Sequence, residues 1–222
     1  MDKKQQTKLL SYFIMGDGGV YIVKQNAKFI MNMRAENQDY INWVDSVLKN
    51  VTGTKQYVRK DYNTDGCQRA PQIRLESGCH PEFTKLRERI YTDSYKGIDP
   101  HALKMLDWEA MAILYMCDGG LYEDKPSAKR GLVNSSWNLT LNMKRLSYGD
   151  HLLLKRAIKE KLGMEFNINR QGKYYYLRLR TKDVEAFCKG VLPYMTKSFM
   201  YKVRMIDSCS QAEQDGEIVC SQ

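Results

Sequence analysis

"FIMGDGGVYI", residues 13–22, runs apolar and then breaks into Gly-Asp-Gly-Gly, leaving the carboxylate of Asp17 between glycines at the end of a hydrophobic helix. Alone, this is an ordinary helix end, because glycine tolerates the left-handed cap conformation and aspartate is common in turns. The chain repeats it, however. "ILYMCDGGLY", residues 113–122, sets Asp118 where Asp17 stood. Two copies of one unusual junction require a shared explanation.

The self-similarity spreads outward from the two turns. After Asp17 come "VYIVK" and "KFIMNMR"; after Asp118 come "LYED", a polar loop through Lys125, Lys129 and Arg130, and "WNLTLNMK". "NQDYINWVDSVLKNVTG" (37–53) matches "SYGDHLLLKRAIKEKLG" (147–163), each with apolar residues at helical spacing and a closing glycine. "YVRKDY" and "PQIRLES" correspond to "FNINR" and "YYYLRLRT", alternating segments that read as paired strands. "EFTKLRERIY" answers "EAFCKGVLPY" as a third helix, and "SYK" at 94–96 answers "MYK" at 200–202.

The expected fold is therefore α+β, in two pseudo-symmetric αββαββα halves, each with a four-stranded antiparallel sheet covered by helices on one face. The halves are placed at residues 1–97 and 107–207. Residues 98–106 form a linker in which Asp99-Pro100 interrupts the preceding structure, and Asp107 is positioned to cap the next helix. Residues 208–222 are polar and aperiodic and read as a mobile tail.

Composition narrows the class. The 222 residues, 43% of them hydrophobic, suffice for one large or two small globular units. A formal net charge of +9, from 35 Lys and Arg against 26 Asp and Glu, favours a polyanionic partner. No segment has the apolar length of a membrane span and the start lacks the apolar core of a secretory signal, so a soluble intracellular protein is expected. The six cysteines form no CxxC pair, which argues against a zinc ribbon or a disulfide scaffold. Cys67, Cys79 and His80 offer three ligands and no fourth, so reduced thiols are the simpler reading.

The uncovered sheet faces carry the functional signal. Phe29, Met31 and Met33 point to one side and Lys28, Asn32 and Arg34 to the other; Ile73 and Leu75 go inward, and Gln72, Arg74 and Glu76 outward. In the second half Tyr176, Arg178 and Arg180 take the outward places, as do Asn138, Thr140, Asn142 and Lys144. Any one such strand is adequately explained as a solvated face. Several strands bearing Arg, Lys, Asn, Gln and Thr together are suited to reading base edges and neutralising phosphates.

With these residues in view, "LSYFIMGDGG" and "MAILYMCDGG" resemble the two signature helices of a double-motif LAGLIDADG homing endonuclease. The resemblance runs from about Lys8 to Met205, since the duplicated order of elements matches as well as the motifs. It implies that the signature helices pack side by side at a pseudo-two-fold axis, below a DNA-binding saddle formed by both sheets. Ser11 with Gly16 and Ala112 with Cys117 supply small residues for close approach, while Tyr12 and Ile113 depart from the small residue usual at the third motif position. It further implies that Asp17 and Asp118 converge to hold two or three Mg²⁺ ions, which Mn²⁺ or Ca²⁺ could replace, with the carbonyls of Gly16 and Cys117 as further ligands. Lys96 and Lys202 take the places of basic residues beside the attacking water, and Arg59 and Asn169 could position that water.

The implied function is site-specific cleavage of a long, nearly asymmetric duplex DNA by a monomer, leaving short 3′ overhangs. Nothing like an intein splicing motif is present, which favours an intron-encoded or free-standing product of a bacterium, a phage or an organelle. A maturase that binds intron RNA is the main alternative, and retention of both acidic residues tilts against it. A transcription regulator on the same scaffold would carry an added helix-turn-helix domain, for which the segment after Met205 is too short.

Overall fold

Along the chain the elements run α1 (Lys3–Met15), β1 (Gly19–Val23), β2 (Asn26–Arg34), α2 (Gln38–Leu48), β3 (Thr54–Arg59), β4 (Gln72–Ser77) and α3 (Pro81–Ile90). A two-residue hairpin, β5 (Tyr91–Thr92) and β6 (Tyr95–Lys96), and a short α4 (Pro100–Leu103) follow. The series then restarts with α5 (Trp108–Asp118), β7 (Gly119–Asp124), β8 (Ser136–Leu141), α6 (Tyr148–Leu162), β9 (Phe166–Gln171), β10 (Tyr174–Leu179) and α7 (Val184–Val191). This computed structural model describes residues 1–59, 70–93, 95–126 and 136–204. Cys67, Lys129, Arg130 and the expected tail lie outside the described residues.

Both sheets are antiparallel, ordered β1-β2-β4-β3 and β7-β8-β10-β9, so the duplication read in the sequence is a duplication of topology. Strand alternation places Phe29, Met31, Ile73 and Leu75 in the core of the first half and Leu139, Leu141, Leu177 and Leu179 in that of the second. One continuous hydrophobic cluster joins the two halves. Among the described residues no helix is long and apolar enough to cross a membrane.

The signature helices sit at the centre. From Leu9 to Met15 and from Ala110 to Met116 every residue is buried, and α1 packs directly on α5. A helix that is apolar all round needs protein on every side, and here the second helix supplies part of it. Asp2 caps α1 by accepting from Gln5 N (2.7 Å), and Asp107 caps α5 by accepting from Ala110 N (2.9 Å), as its sequence position suggested. The start of α5 is tied back to α1, because Lys8 Nζ donates to Asp107 (2.5 Å) and Glu109 (2.9 Å).

The glycines after each aspartate are explained by space. None of the four residues of either junction has a left-handed φ. A Cβ on Gly18 would stand 2.5 Å from the Phe29 ring and 2.6 Å from Phe13 O, and one on Gly119 would stand 2.0 Å from the Tyr115 ring. The sequence reading of these glycines as left-handed caps is thus replaced by close packing of chain against ring. Gly16 likewise abuts the other helix, since its Cβ would lie 2.6 Å from Cys117 Sγ. Ser11, expected to ease the helix approach, turns its hydroxyl to Asp99 (3.2 Å).

Two strand expectations need correction. β8 stops at Leu141, and the chain turns just beyond it, where Lys144 N donates to Asn142 O (2.7 Å); Asn142 and Lys144 lie past the strand. Arg180 stands just past β10, before a 3-10 turn at Thr181–Asp183, and pairs with Glu165. The two lysine segments also differ: Lys96 lies on β6, whereas Lys202 lies in a 3-10 helix, Lys197–Val203.

The linker is more than a spacer. Asp99 is fully buried, accepts from Ser11 of α1, His101 N and the Arg89 guanidinium of α3, and so fastens the start of α4 to two helices of the first half. Each half also grips the other: Tyr95 donates to Asp150 of α6 (3.0 Å), and Ser198 N donates to Asp39 of α2 (2.8 Å). Replacing Asp99 with alanine leaves a guanidinium and a buried hydroxyl without their acceptor. We expect Asp99→Ala to lower unfolding free energy by about 2–4 kcal/mol in urea titration, far more than an exposed Asp→Ala change.

Candidate active site and nucleic-acid face

The ends of α1 and α5 concentrate negative charge. Each helix C-terminus carries the negative end of its dipole, and each is followed or closed by an aspartate. Asp17 is exposed, whereas the Asp118 side chain is only 17% exposed. Burial pushes the Asp118 carboxyl up to about 6, helped by the neighbouring charge of Asp17 and opposed by Arg145.

Three cations answer this charge. Lys96 Nζ donates to Ile14 O (2.7 Å), Gly16 O (2.8 Å) and Gly18 O (2.7 Å), around the end of α1. Lys202 Nζ donates to Tyr115 O (3.2 Å), Met116 O (2.6 Å) and Gly119 O (2.9 Å), around the end of α5. The two lysines therefore occupy matching places although their backbones differ. Each ammonium has all three protons engaged by main-chain carbonyls. Burial lowers both, Lys96 to about 8.

The third cation was missed in the sequence. Arg145 Nη2 donates to Met15 O (2.5 Å) and Gly16 O (2.7 Å) and lies 3.4 Å from Asp118 Oδ2. Its signal was available: it follows "NMK" where the first half has Ala35 after "NMR". Gly16 O, expected to be open to a metal, accepts from both Lys96 and Arg145 in this structure. Cys117 Sγ is within 3.4 Å of Tyr40 Oη, and burial pushes its thiol far up, so the side chain is a neutral packing group.

A cleft of about 430 Å³ joins Asp17 to the first sheet. It is lined by Asp17, Asn32, Arg34, Gln72, Cys117 and Lys202 among others, so the structure brings six of the expected site residues together. Among the described residues no three His, Cys, Asp or Glu side chains form a metal cluster. His80 instead caps α3 by accepting from Glu82 N (3.2 Å).

On the first sheet the outward residues are linked to one another. Glu76 receives Lys28 Nζ (2.9 Å), Arg74 Nε (2.5 Å) and the Tyr57 hydroxyl (2.7 Å). Lys28 foremost, with Tyr57 and Arg74, holds the Glu76 carboxyl down at about 2. Arg34 is exposed, Gln72 half-buried, and Arg59 ends β3 opposite Gln72. On the second sheet Asn138 and Thr140 point outward as expected but are only 1% and 5% exposed, so the open face expected of them is largely covered. Asn138 donates to Asp124 (2.8 Å) and accepts from Arg178, and Asn142 donates to Thr140 (3.1 Å). Asn169 stands beside Tyr176 (3.4 Å) on neighbouring strands. Sequence reasoning passed over Tyr21, Tyr57 and Tyr122, all exposed residues of β1, β3 and β7.

The Asp118 environment has a consequence for stability. A carboxyl whose folded pKa lies above its ordinary value of 3.8 stabilises the fold most when protonated, and that contribution fades as pH rises through about 6. In chelator-treated buffer, Asp118→Asn should exceed the native chain in unfolding free energy by about 1–3 kcal/mol at pH 7. The gap should close toward pH 4; a gap that is absent at pH 7 or widens in acid contradicts this account.

Comparison with known proteins follows the same lines. Over 133 residues the chain is 34% identical to the uncharacterized protein MJ1098 of Methanocaldococcus jannaschii, covering 60% of this chain and 48% of that one. It is 24% identical over 205 residues to a protein RecA of Mycolicibacterium chitae, covering 90% and 46%. The chain thus spans about half the length of the curated relatives it matches. Among solved structures, the homing endonuclease I-WcaI bound to its DNA recognition sequence aligns with a TM-score of 0.74 at 21% identity, over 90% of this chain and 86% of that one. The I-SmaMI LAGLIDADG homing endonuclease bound to cleaved DNA aligns with a TM-score of 0.61 at 10% identity, over 96% and 92%. These likenesses establish the fold. Residues 10–187, which include both aspartate junctions and all eight strands of the two sheets, match the LAGLIDADG DNA endonuclease family, and the chain belongs to that family.

Proposed function

We propose that this chain is a site-specific endonuclease that hydrolyses one phosphodiester in each strand of a long, nearly asymmetric DNA duplex and leaves short 3′ overhangs. The observation that carries the reading is the junction of α1 and α5, where two aspartates end paired helices beside a cleft lined by basic and amide side chains. One chain supplies both carboxylates and both sheets, so the active species is a monomer. Because the sheets differ, each is assigned its own half-site.

Asp17 and Asp118 offer hard carboxylate oxygens, a donor type that suits Mg²⁺, and the burial that raises Asp118, with the like charge of Asp17, is what a divalent cation would offset. They are assigned as the metal-holding residues, with Mn²⁺ and Ca²⁺ as substitutes. Such a cation, when bound, supplies Lewis-acid polarisation of phosphate and water. The chain's own residues have separate work. Lys96 and Lys202 fix the ends of the signature helices and place positive charge under the carboxylates, where it favours the charge that develops on a phosphate. Metal contact through Gly16 O requires Lys96 or Arg145 to withdraw.

The sheets supply recognition. Ion pairs among Lys28, Arg74 and Glu76 hold long side chains in fixed positions before DNA arrives, which reduces the ordering cost of binding. Asn138, held between Asp124 and Arg178, does the same on the second sheet. RNA maturation is the alternative, and the cleavage assay separates the two.

Selection from a randomised duplex library with Mg²⁺ should yield cut products of one preferred sequence. Asp17→Asn or Asp118→Asn should abolish double-strand cleavage while leaving duplex affinity within about tenfold, and chelation should do the same; cleavage of both strands at the native rate by either variant refutes the site assignment. Arg74→Ala or Arg178→Ala should cost about 1–3 kcal/mol in binding and relax choice at one base pair. A loss that is uniform across sequences would reassign that arginine to a phosphate.

A further inference from the structure

The strand registers show where the two sheets depart from one another. Gly19 and Gly120, each the second residue after its aspartate, pair with Ile30 and Thr140, and these pair in turn with Glu76 and Arg178. Two residues away on the same strands, Lys28 and Asn138 pair with Tyr21 and Tyr122. Glu76 therefore corresponds to Arg178, and Lys28 to Asn138. Both sheets join these two places diagonally, but with opposite polarity: Lys28 donates to Glu76 (2.9 Å), whereas Arg178 donates to Asn138.

This reversal decides how Arg74 is held. Arg74 stands two residues before Glu76 on the same outward side of β4, paired with Asn32 and Tyr57. Its Nε donates to Glu76 Oε1 (2.5 Å), and Nη1 and Nη2 have no partner among the described residues. A guanidinium fixed at Nε presents both terminal nitrogens, the pair that fits O6 and N7 of guanine. Tyr57 and Lys28 also donate to Glu76, so this carboxylate orients its neighbours and is itself occupied. Arg178 is held through Nη2 instead, by Asn138.

We propose, building on the endonuclease reading above, that Glu76 is a positioning residue for Arg74, and that it sets the guanine read by the first sheet closer to the centre of the target than the guanine read by Arg178. Asn32, the partner of Arg74, lines the cleft with Asp17, whereas Arg178 lies in the row of Gly120, two residues beyond Asp118. Residues two apart on one strand face are separated by about 6.8 Å, roughly two base steps of a duplex. The guanines of the two half-sites therefore stand at unequal distances from the centre. A purely structural Glu76, bracing β4, would instead affect all sequences alike.

The experiment uses the full chain and a randomised duplex library, with retained DNA sequenced and distances counted from the midpoint of the protected footprint, which needs no cleavage. Arg74→Ala and Arg178→Ala should each relax the preference for one guanine, and the Arg74 guanine should lie about two base pairs nearer the midpoint. Glu76→Gln should lower the preference at the Arg74 guanine by about fivefold or more and leave that at the Arg178 guanine intact. It should also raise affinity for unrelated duplex, since a negative charge is removed. Lys28→Asn combined with Glu76→Arg gives the first sheet the contact of the second, and should move the first guanine preference outward to the Arg178 distance. Melting curves identify a Glu76→Gln chain that fails to fold, in which case the double variant decides. Guanines at equal distances, or a Glu76→Gln loss that is uniform across sequences, overturn the proposal. Failure of the native chain to retain any preferred duplex removes the endonuclease reading itself.

Discussion

Two helix C-termini brought side by side, each bearing an aspartate, create a local excess of negative charge that the rest of the molecule must offset. Backbone carbonyls at the ends of α1 and α5 have no partners within their helices, and the dipoles add to the carboxylates. The fold meets this with Lys96, Lys202 and Arg145, drawn from three separate parts of the chain: Lys96 and Arg145 are directed at carbonyls at the end of α1, and Lys202 at those at the end of α5. Proteins seldom bury ammonium groups, and the depressed pKa of both lysines reflects the cost.

The same arrangement accounts for the architecture around it. The lysine segments must reach the helix ends, and each is held by the opposite half, through Tyr95 to Asp150 and through Ser198 to Asp39. At the far end of the seam Lys8 ties α1 to the start of α5, and Asp99 fastens the chain between the halves. The halves are thus locked together at both ends of the helix pair, which keeps the aspartates in fixed relation. Such rigidity is what the proposed function, which places two carboxylates against one backbone, requires.

Symmetry is kept where charge must be balanced and dropped on the sheet faces. Lys96 and Lys202 reach equivalent carbonyls from a hairpin and from a 3-10 helix, so the contact is retained and the scaffold is not. The sheet faces carry different networks, centred on Glu76 in one half and Asn138 in the other. Asp118 is half-buried beside Arg145 while Asp17 is exposed, so even the paired aspartates stand in unlike surroundings.

The sequence by itself determined the duplication, the order of elements and the two aspartate junctions, because hydrophobic period and repeated motifs are local properties that survive in a string. It also determined which side of most strands faces out, since alternation in a strand is fixed by geometry. What only the tertiary structure decided depends on distant parts of the chain meeting. The glycines after Asp17 and Asp118 are required by the Phe29 and Tyr115 rings rather than by backbone angle, and no local pattern shows that. Asn138 and Thr140 are outward but buried, Gly16 O is already engaged, and Arg145 spans both helices; each follows from burial and from contacts between separate elements, where charge and solvent exclusion are set.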